Sequence, residues 1–126
     1  MYNWYSIKDP RLLAPKGYRL PTYEDFEKLI VLNGGFTKAG GSLKSFNSWN
    51  SPNIINNDRT EFNAIAGGYM DDIGRFNFIN ERVSFWTISD AGPRYAKGIG
   101  MINNATEINN GIVPKIGGLY LRVLKE

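Results

Sequence analysis

A chain of 126 residues with a net charge of +3, 42% hydrophobic and 21% charged residues has the size and balance of one globular domain. It contains neither Cys nor His, which excludes disulfides, thiolate nucleophiles, Ser-His-Asp and Cys-His machinery and the usual zinc sites. Lys and Arg are scattered without a basic run, and no apolar stretch reaches the length of a membrane span, so neither nucleic acid nor membrane insertion is expected.

Carboxylates, Lys, Tyr, Ser and Thr are all that remain for catalysis. The composition leans instead to Gly (14), Asn (14), Tyr (7) and Trp (3), which suits a loop-rich fold that displays polar and stacking groups. No signal peptide is visible.

Tyr2 to Ile7 (YNWYSI) reads as an aromatic-rich first strand with Trp4 in the core. Asp9-Pro10 ends it, and the chain is irregular up to Arg19. The most informative stretch runs from Leu12 to Gly35 and holds the one convincing helix, expected over about 22–33. Thr22 is a good N-cap, and Asp25 three residues on makes a shortened capping box. Glu24 and Asp25 both suit the positive end of the helix dipole. Pro21 is placed to pack on Phe26. Tyr23, Phe26, Leu29 and Ile30 share one face, and Asn33-Gly34 tolerates the backbone of a helix end.

Gly34 to Asn57 is a long stretch of low regularity, with two Gly-Gly pairs, several Ser and Asn, and Pro52. Leu43, Phe46, Trp49, Ile54 and Ile55 are apolar pegs that pin it to the body. Glu61 to Met70 and Arg75 to Ile79 each alternate as short strands, with a turn at Asp71–Gly74 between them. Val83 to Ile88 is the best central strand, with Val83 and Phe85 opposite Trp86 and Ile88. Ser89 to Pro93 is a turn. Arg94 to Ile102 is a strand whose two glycines predict a bulge or bend. Glu107 to Val113 carries Asn110-Gly111, a short-hairpin signal. Gly118 to Leu124 is the closing strand, with Leu119, Leu121 and Val123 on one face. The sum is five to seven short strands and one or two helices, an α+β class with an antiparallel sheet joined by turns too short for crossovers.

Six phrases occur in an order that resembles one family: Tyr2–Arg11 (YNWYSIKDPR), Leu13–Leu29 (LAPKGYRLPTYEDFEKL), Ala39–Ser45 with Trp49–Asn53 (AGGSLKS, WNSPN), Phe62–Tyr69 (FNAIAGGY), Phe85–Ser89 (FWTIS) and Gly118–Glu126 (GLYLRVLKE). The chain resembles the Fibrobacter succinogenes major paralogous domain (FISUMP), common in Bacteroidetes, related bacteria and their phages. The resemblance implies a single domain over 1–126 with a C-type lectin-like fold, similar also to formylglycine-generating enzymes and retroelement variable proteins. It implies chain ends that meet in the sheet and one face of long irregular loops that present a ligand surface. The family supplies no established catalytic residues. Two departures stand out. The family's segment before the YNWY phrase is absent here, so an inner or edge strand is expected to be missing or supplied by a neighbour. Where the family's closing strand often carries Cys, this chain reads Arg122-Val123-Leu124, so apolar packing replaces a staple.

Candidate ligand contacts come from the Asn-rich last third: Arg94, Tyr95, Asn103, Asn104, Asn109 and Asn110. Asn donates and accepts together, which suits sugar hydroxyls, and an aromatic face can stack on a sugar. The same asparagines also serve plain turn chemistry. Trp49 reads first as a loop peg and, with Asn50, as a further ligand contact. Asp71, Asp72, Asp58 and Glu61 could offer oxygen ligands to calcium, but their pattern matches no EF-hand loop and reads as solvated turn carboxylates; no metal or cofactor is expected. Asn104-Ala105-Thr106 matches the N-glycosylation pattern.

The expected function is a non-enzymatic module that recognises a glycan or protein through surface loops, on a bacterial cell surface, secreted, or on a virion. The alternative is a structural or assembly subunit of a phage virion or fibre, homo-oligomeric through neighbouring subunits, or a retroelement-diversified variable protein.

Overall fold

A computed structural model describes all residues except Pro10, Leu12, Leu13 and Asp58. The described residues form, in chain order, α1 (Trp4–Ile7), β1 (Tyr18–Arg19), α2 (Tyr23–Leu32), α3 (Ala39–Leu43), β2 (Tyr69–Met70), β3 (Phe76–Asn77), β4 (Arg82–Asp90), β5 (Tyr95–Ile102), β6 (Ile108–Pro114) and β7 (Leu124–Lys125). Strands β4, β5 and β6 make an antiparallel sheet in that order, and β1–β7 and β2–β3 are small antiparallel ribbons. The class is therefore mixed helix and antiparallel sheet. The break at Asp9-Pro10, the first residues of the Leu12–Gly35 stretch and the calcium candidate Asp58 fall wholly or partly outside the described residues.

The two apolar faces of β4 each build a core. Val83 and Phe85 face Phe26 and Ile30 of α2, Leu43 of α3, and Ile99, Met101 and Ile108 of the neighbouring strands. Phe85 stacks on Phe26 with ring centres 6.3 Å apart and meets the Phe62 edge at 5.6 Å. Trp86 points the other way, into a second core with Trp4, Ile7, Ala96 and Leu119. This is the alternation expected of a strand buried on both sides. Lys115 closes the second core, its ammonium 4.3 Å from the Trp4 ring centre and 2.9 Å from the Asp90 carboxylate.

Helix α2 forms as its sequence dictates. The Thr22 hydroxyl accepts from the Asp25 backbone N–H, and the Asp25 carboxylate accepts from the Thr22 backbone N–H, a complete capping box. Asn33 caps the far end, and Gly34 follows at φ +104°. Register shifts in β4 between Trp86 and Asp90. There the Ile88 N–H donates to the Pro21 carbonyl and the Ser89 hydroxyl accepts from the Tyr23 N–H, so the bulge docks the start of α2 on the sheet. The expected bulge thus lies in β4 and not in β5.

Several expectations are corrected. Tyr2–Ile7 is not a strand: Asn3 caps a single helical turn, its carboxamide oxygen accepting from the Ser6 N–H at 2.9 Å, and Trp4 and Ile7, three apart, bury together. Only Tyr2 keeps an extended contact, an antiparallel bridge to Leu119. Glu61–Met70 shortens to β2, because residues 62–68 are tied instead by bridges at Ala64 and Gly68. Arg75–Ile79 shortens to β3. Asn110-Gly111 is not a hairpin turn: both residues lie inside β6, paired with Ile99 and Gly98, and neither has a positive φ. The β5–β6 reversal is made by residues 103–107. The closing strand reduces to β7, preceded by the bridges of Leu119 to Tyr2 and Tyr120 to Phe85. The outer edge of β6 is blunted where the Ile108 N–H donates to Phe36 and where Pro114 has no N–H to offer.

Two measurements test this packing. Phe26→Ala is expected to cost about 3–5 kcal/mol in denaturant unfolding, and the half-buried Leu29→Ala less. The Arg19 guanidinium, 2.6 Å from Asp25, holds that carboxyl well below its ordinary 3.8, with burial working in the opposite sense and the Thr22 backbone N–H adding to the lowering. This stability is fully present above the unfolded value and is lost as pH falls towards the folded one. Asp25→Asn is therefore expected to lower the melting temperature at neutral pH, with the gap to the parent closing as pH falls below about 4.

Candidate functional site

The sheet face turned away from α2 carries a trough of 520 Å³. The register sets its lining in rows across the three strands. Arg82 on β4 pairs with Ile102 on β5, and Glu107, just before β6, lies beyond Ile102; Ser84, Gly100 and Asn109 form the next row; Trp86, Gly98 and Gly111 the next. The second core fills the lower rows, where Leu119 and Val113 close over Gly98. The upper rows stay open because the middle strand offers no side chain at Gly100, where a Cβ would stand 3.1 Å from the Ser84 hydroxyl oxygen. One wall is a stack: Tyr69 lies on Phe78 with ring centres 5.7 Å apart, and the Arg82 guanidinium lies 4.3 Å from the Phe78 centre. The other wall is Glu107, Asn109 and Val113.

The polar groups of this trough are uncommitted. Among the described residues, the Tyr69 hydroxyl, the Arg82 guanidinium, the Ser84 hydroxyl, the Glu107 carboxylate and the Asn109 carboxamide have no hydrogen-bond or ion-pair partner within the protein. Polar side chains that converge on one concavity without partners of their own are what ligand recognition requires.

The residues singled out from sequence are dispersed. Asn109 lies in the trough. Asn103 and Asn104 sit in the turn at its upper end, where the Asn103 carboxamide N–H donates to the Asn50 carbonyl at 3.2 Å. Asn110 points to the α2 side and donates to the Tyr23 hydroxyl at 2.9 Å. Tyr95 begins β5 and Arg94 precedes it, so Tyr95 lies about 26 Å along the strand from Asn103. Trp49 is a core peg, its indole N–H donating to the Ala64 carbonyl at 3.0 Å. Asp71 is engaged with Arg75 and Asn77, and hydrogen bonds, first from the Arg75 backbone N–H, hold its carboxyl at about 2. Tyr69, Arg82, Ser84 and Glu107 carry no local motif; the signal that could have found them is the alternation Arg-x-Ser on one strand against Gly-x-Gly on the next.

Lys44 secures the upper end of the trough. Its side chain is fully buried, and its ammonium donates to the carbonyls of Ile102 (2.9 Å), Asn103 (3.2 Å) and Ala105 (3.0 Å). The Trp49 ring centre lies 5.3 Å away. No carboxylate among the described residues pairs with it. Burial pushes its pKa down from 10.5 to about 8.

The sequence profile of the Fibrobacter succinogenes major domain matches residues 1–125, and the chain belongs to that family. No curated protein and no solved structure matches it. No helix among the described residues is long and apolar enough to cross a membrane.

Side-chain NMR of Lys44 is expected to show a titration midpoint of about 8. Below it, folded and unfolded chains are both protonated and the folded state bears the cost of a buried charge. Between about 8 and 10.5 the unfolded chain holds more protons, so this group makes the fold more stable as pH rises. Lys44→Met leaves three carbonyls without this donor and is expected to cost about 2–4 kcal/mol. Amide exchange should quicken in residues 103–107 before it does in the β4–β5 ladder; uniform exchange across both would show that Lys44 does not hold the turn.

Proposed function

We propose that this member of the Fibrobacter succinogenes major domain family is a non-enzymatic binding module of C-type lectin-like architecture, displayed on a bacterial or phage surface, that takes a glycan or a segment of protein in the trough above Gly100. The observation that carries the reading is the set of five uncommitted polar side chains around a glycine floor, beside the Tyr69–Phe78–Arg82 stack. Stacked aromatics suit the apolar face of a sugar, and carboxamide, hydroxyl and guanidinium groups suit its hydroxyls. The absence of Cys and His from the sequence supports a role without catalysis. Asn104 and Asn50 stand at the upper end of the same surface, braced by Asn103, which keeps part of the Asn-rich loop face in the reading.

A structural role in an assembly is the second reading. It is favoured by the β2–β3 ribbon and its surroundings, where Ile73, Phe76 and Ile79 are each about two-thirds or more exposed (67%, 72% and 71%). Apolar side chains in that state are frequently covered by a neighbour.

Gly111 supplies the test. A Cβ there meets nothing within 4 Å, so the side chain of Gly111→Leu has room to leave the backbone and enter the trough from its lower end. On a glycan array or in protein pull-down, the parent is expected to bind one of the two classes and Gly111→Leu to lose about tenfold or more in affinity at an unchanged melting temperature. A parent chain that binds neither class and runs as a stable trimer in light scattering would overturn the binding reading in favour of assembly.

A further inference from the structure

We propose that the ligand of the trough is dipolar: it bears a carboxylate that docks on Arg82 and an ammonium that docks on Glu107, the charge pattern of a free amino acid or a short peptide. The inference rests on the reading of the trough as a binding site and adds the chemistry of what enters it.

Arg82 is set for a carboxylate. Its guanidinium lies over Phe78, 4.3 Å from the ring centre, and Phe78 is backed in turn by Tyr69. Contact with the ring holds the group in place and leaves its N–H donors free for a two-point contact with a planar anion. No carboxylate among the described residues takes that edge.

Glu107 is the complementary group. It stands on the opposite wall, exposed and without a cation. The nearby cation of the turn, Lys44, is already spent on three carbonyls. The backbones of Arg82 and Glu107 are separated by two strand spacings, about 10 Å, with Ile102 between them. The two side chains do not pair with each other.

One row deeper, Ser84 and Asn109 face each other across Gly100. They offer a hydroxyl and a carboxamide at the level where the amide of a short peptide would lie, and the glycine leaves room for its main chain. The two charges discriminate among ligands. A simple anion meets the field of Glu107, and a simple cation that of Arg82. A neutral sugar desolvates both without neutralising either. A dipolar ligand satisfies the two together.

The test is an amide NMR titration of the full chain with three dipeptide pools (free, N-acetylated and C-amidated) and with lactose as the neutral sugar. The free pool is expected to shift the amides of Gly98, Gly100 and Gly111, and blocking either end to weaken binding about tenfold. Arg82→Gln should then bind the free and C-amidated pools alike, and Glu107→Gln the free and N-acetylated pools alike. Equal binding of blocked and free pools, or shifts with lactose alone, would overturn the dipolar ligand and leave the trough a binding site. Silence from all four probes overturns the dipolar ligand as well; the comparison of the parent with Gly111→Leu on the glycan array then decides the trough separately.

Discussion

A buried cation, Lys44, that has no counter-ion among the described residues fixes the upper half of the molecule. Removing an ammonium from water costs several kcal/mol when no carboxylate answers it. Lys44 recovers part of that cost by donating to the carbonyls of Ile102, Asn103 and Ala105. The first of those carbonyls ends β5 and the other two lie in the β5–β6 reversal. Lys44 is also tied through its backbone to Ala64 by a parallel bridge, and Ala64 accepts the Trp49 indole N–H. One residue, through its backbone and its side chain, thus joins the end of α3, the chain at Ala64 and the β5–β6 reversal. The placement of β6 against β5, and with it the rows of the trough, follows from where this reversal is held.

The elements legible in the sequence were those decided locally. Helix α2 carries its own cap, apolar face and stop, so its bounds fall within a residue of the reading. Strand β4 was legible because both of its faces are apolar. The misreadings share a cause. YNWYSI has the composition of a strand, but Asn3 can cap and Trp4 and Ile7 can bury together only once Leu119 and Trp86 are in place. Asn110-Gly111 has the letters of a tight turn, yet pairing with Ile99 and Gly98 on one side and the Tyr23 hydroxyl on the other keeps it extended. In each, tertiary contacts outweighed local preference.

The candidate site was half legible for the same reason. Asparagine enrichment pointed to the right third of the chain, but position on a strand separates its members: Asn109 faces the trough, Asn110 faces α2, and Asn103 is consumed in bracing Asn50. What distinguishes the trough is commitment, and not residue type. Arg122, for comparison, spends its guanidinium on the carbonyls of Phe62 and Asn63 while lying over the Phe62 ring, whereas Arg82 lies over Phe78 and has no such partner among the described residues. Two arginines on aromatic rings thus differ in what they leave for a partner.

The second core has a consequence for how the chain acquires its shape during synthesis. Trp4 donates its indole N–H to the Thr87 carbonyl, Trp86 donates to the Tyr2 carbonyl, and Tyr2 is bridged to Leu119. Its walls therefore come from residues near the start, the middle and the end of the sequence. Contacts of such separation carry a loop-closure cost before they return any stability. As the chain leaves the ribosome, α2 and the first core can collapse once β5 and β6 have emerged. Trp4 and Ile7 find their full surroundings only once Leu119 has joined them, so the second core is sealed after the first.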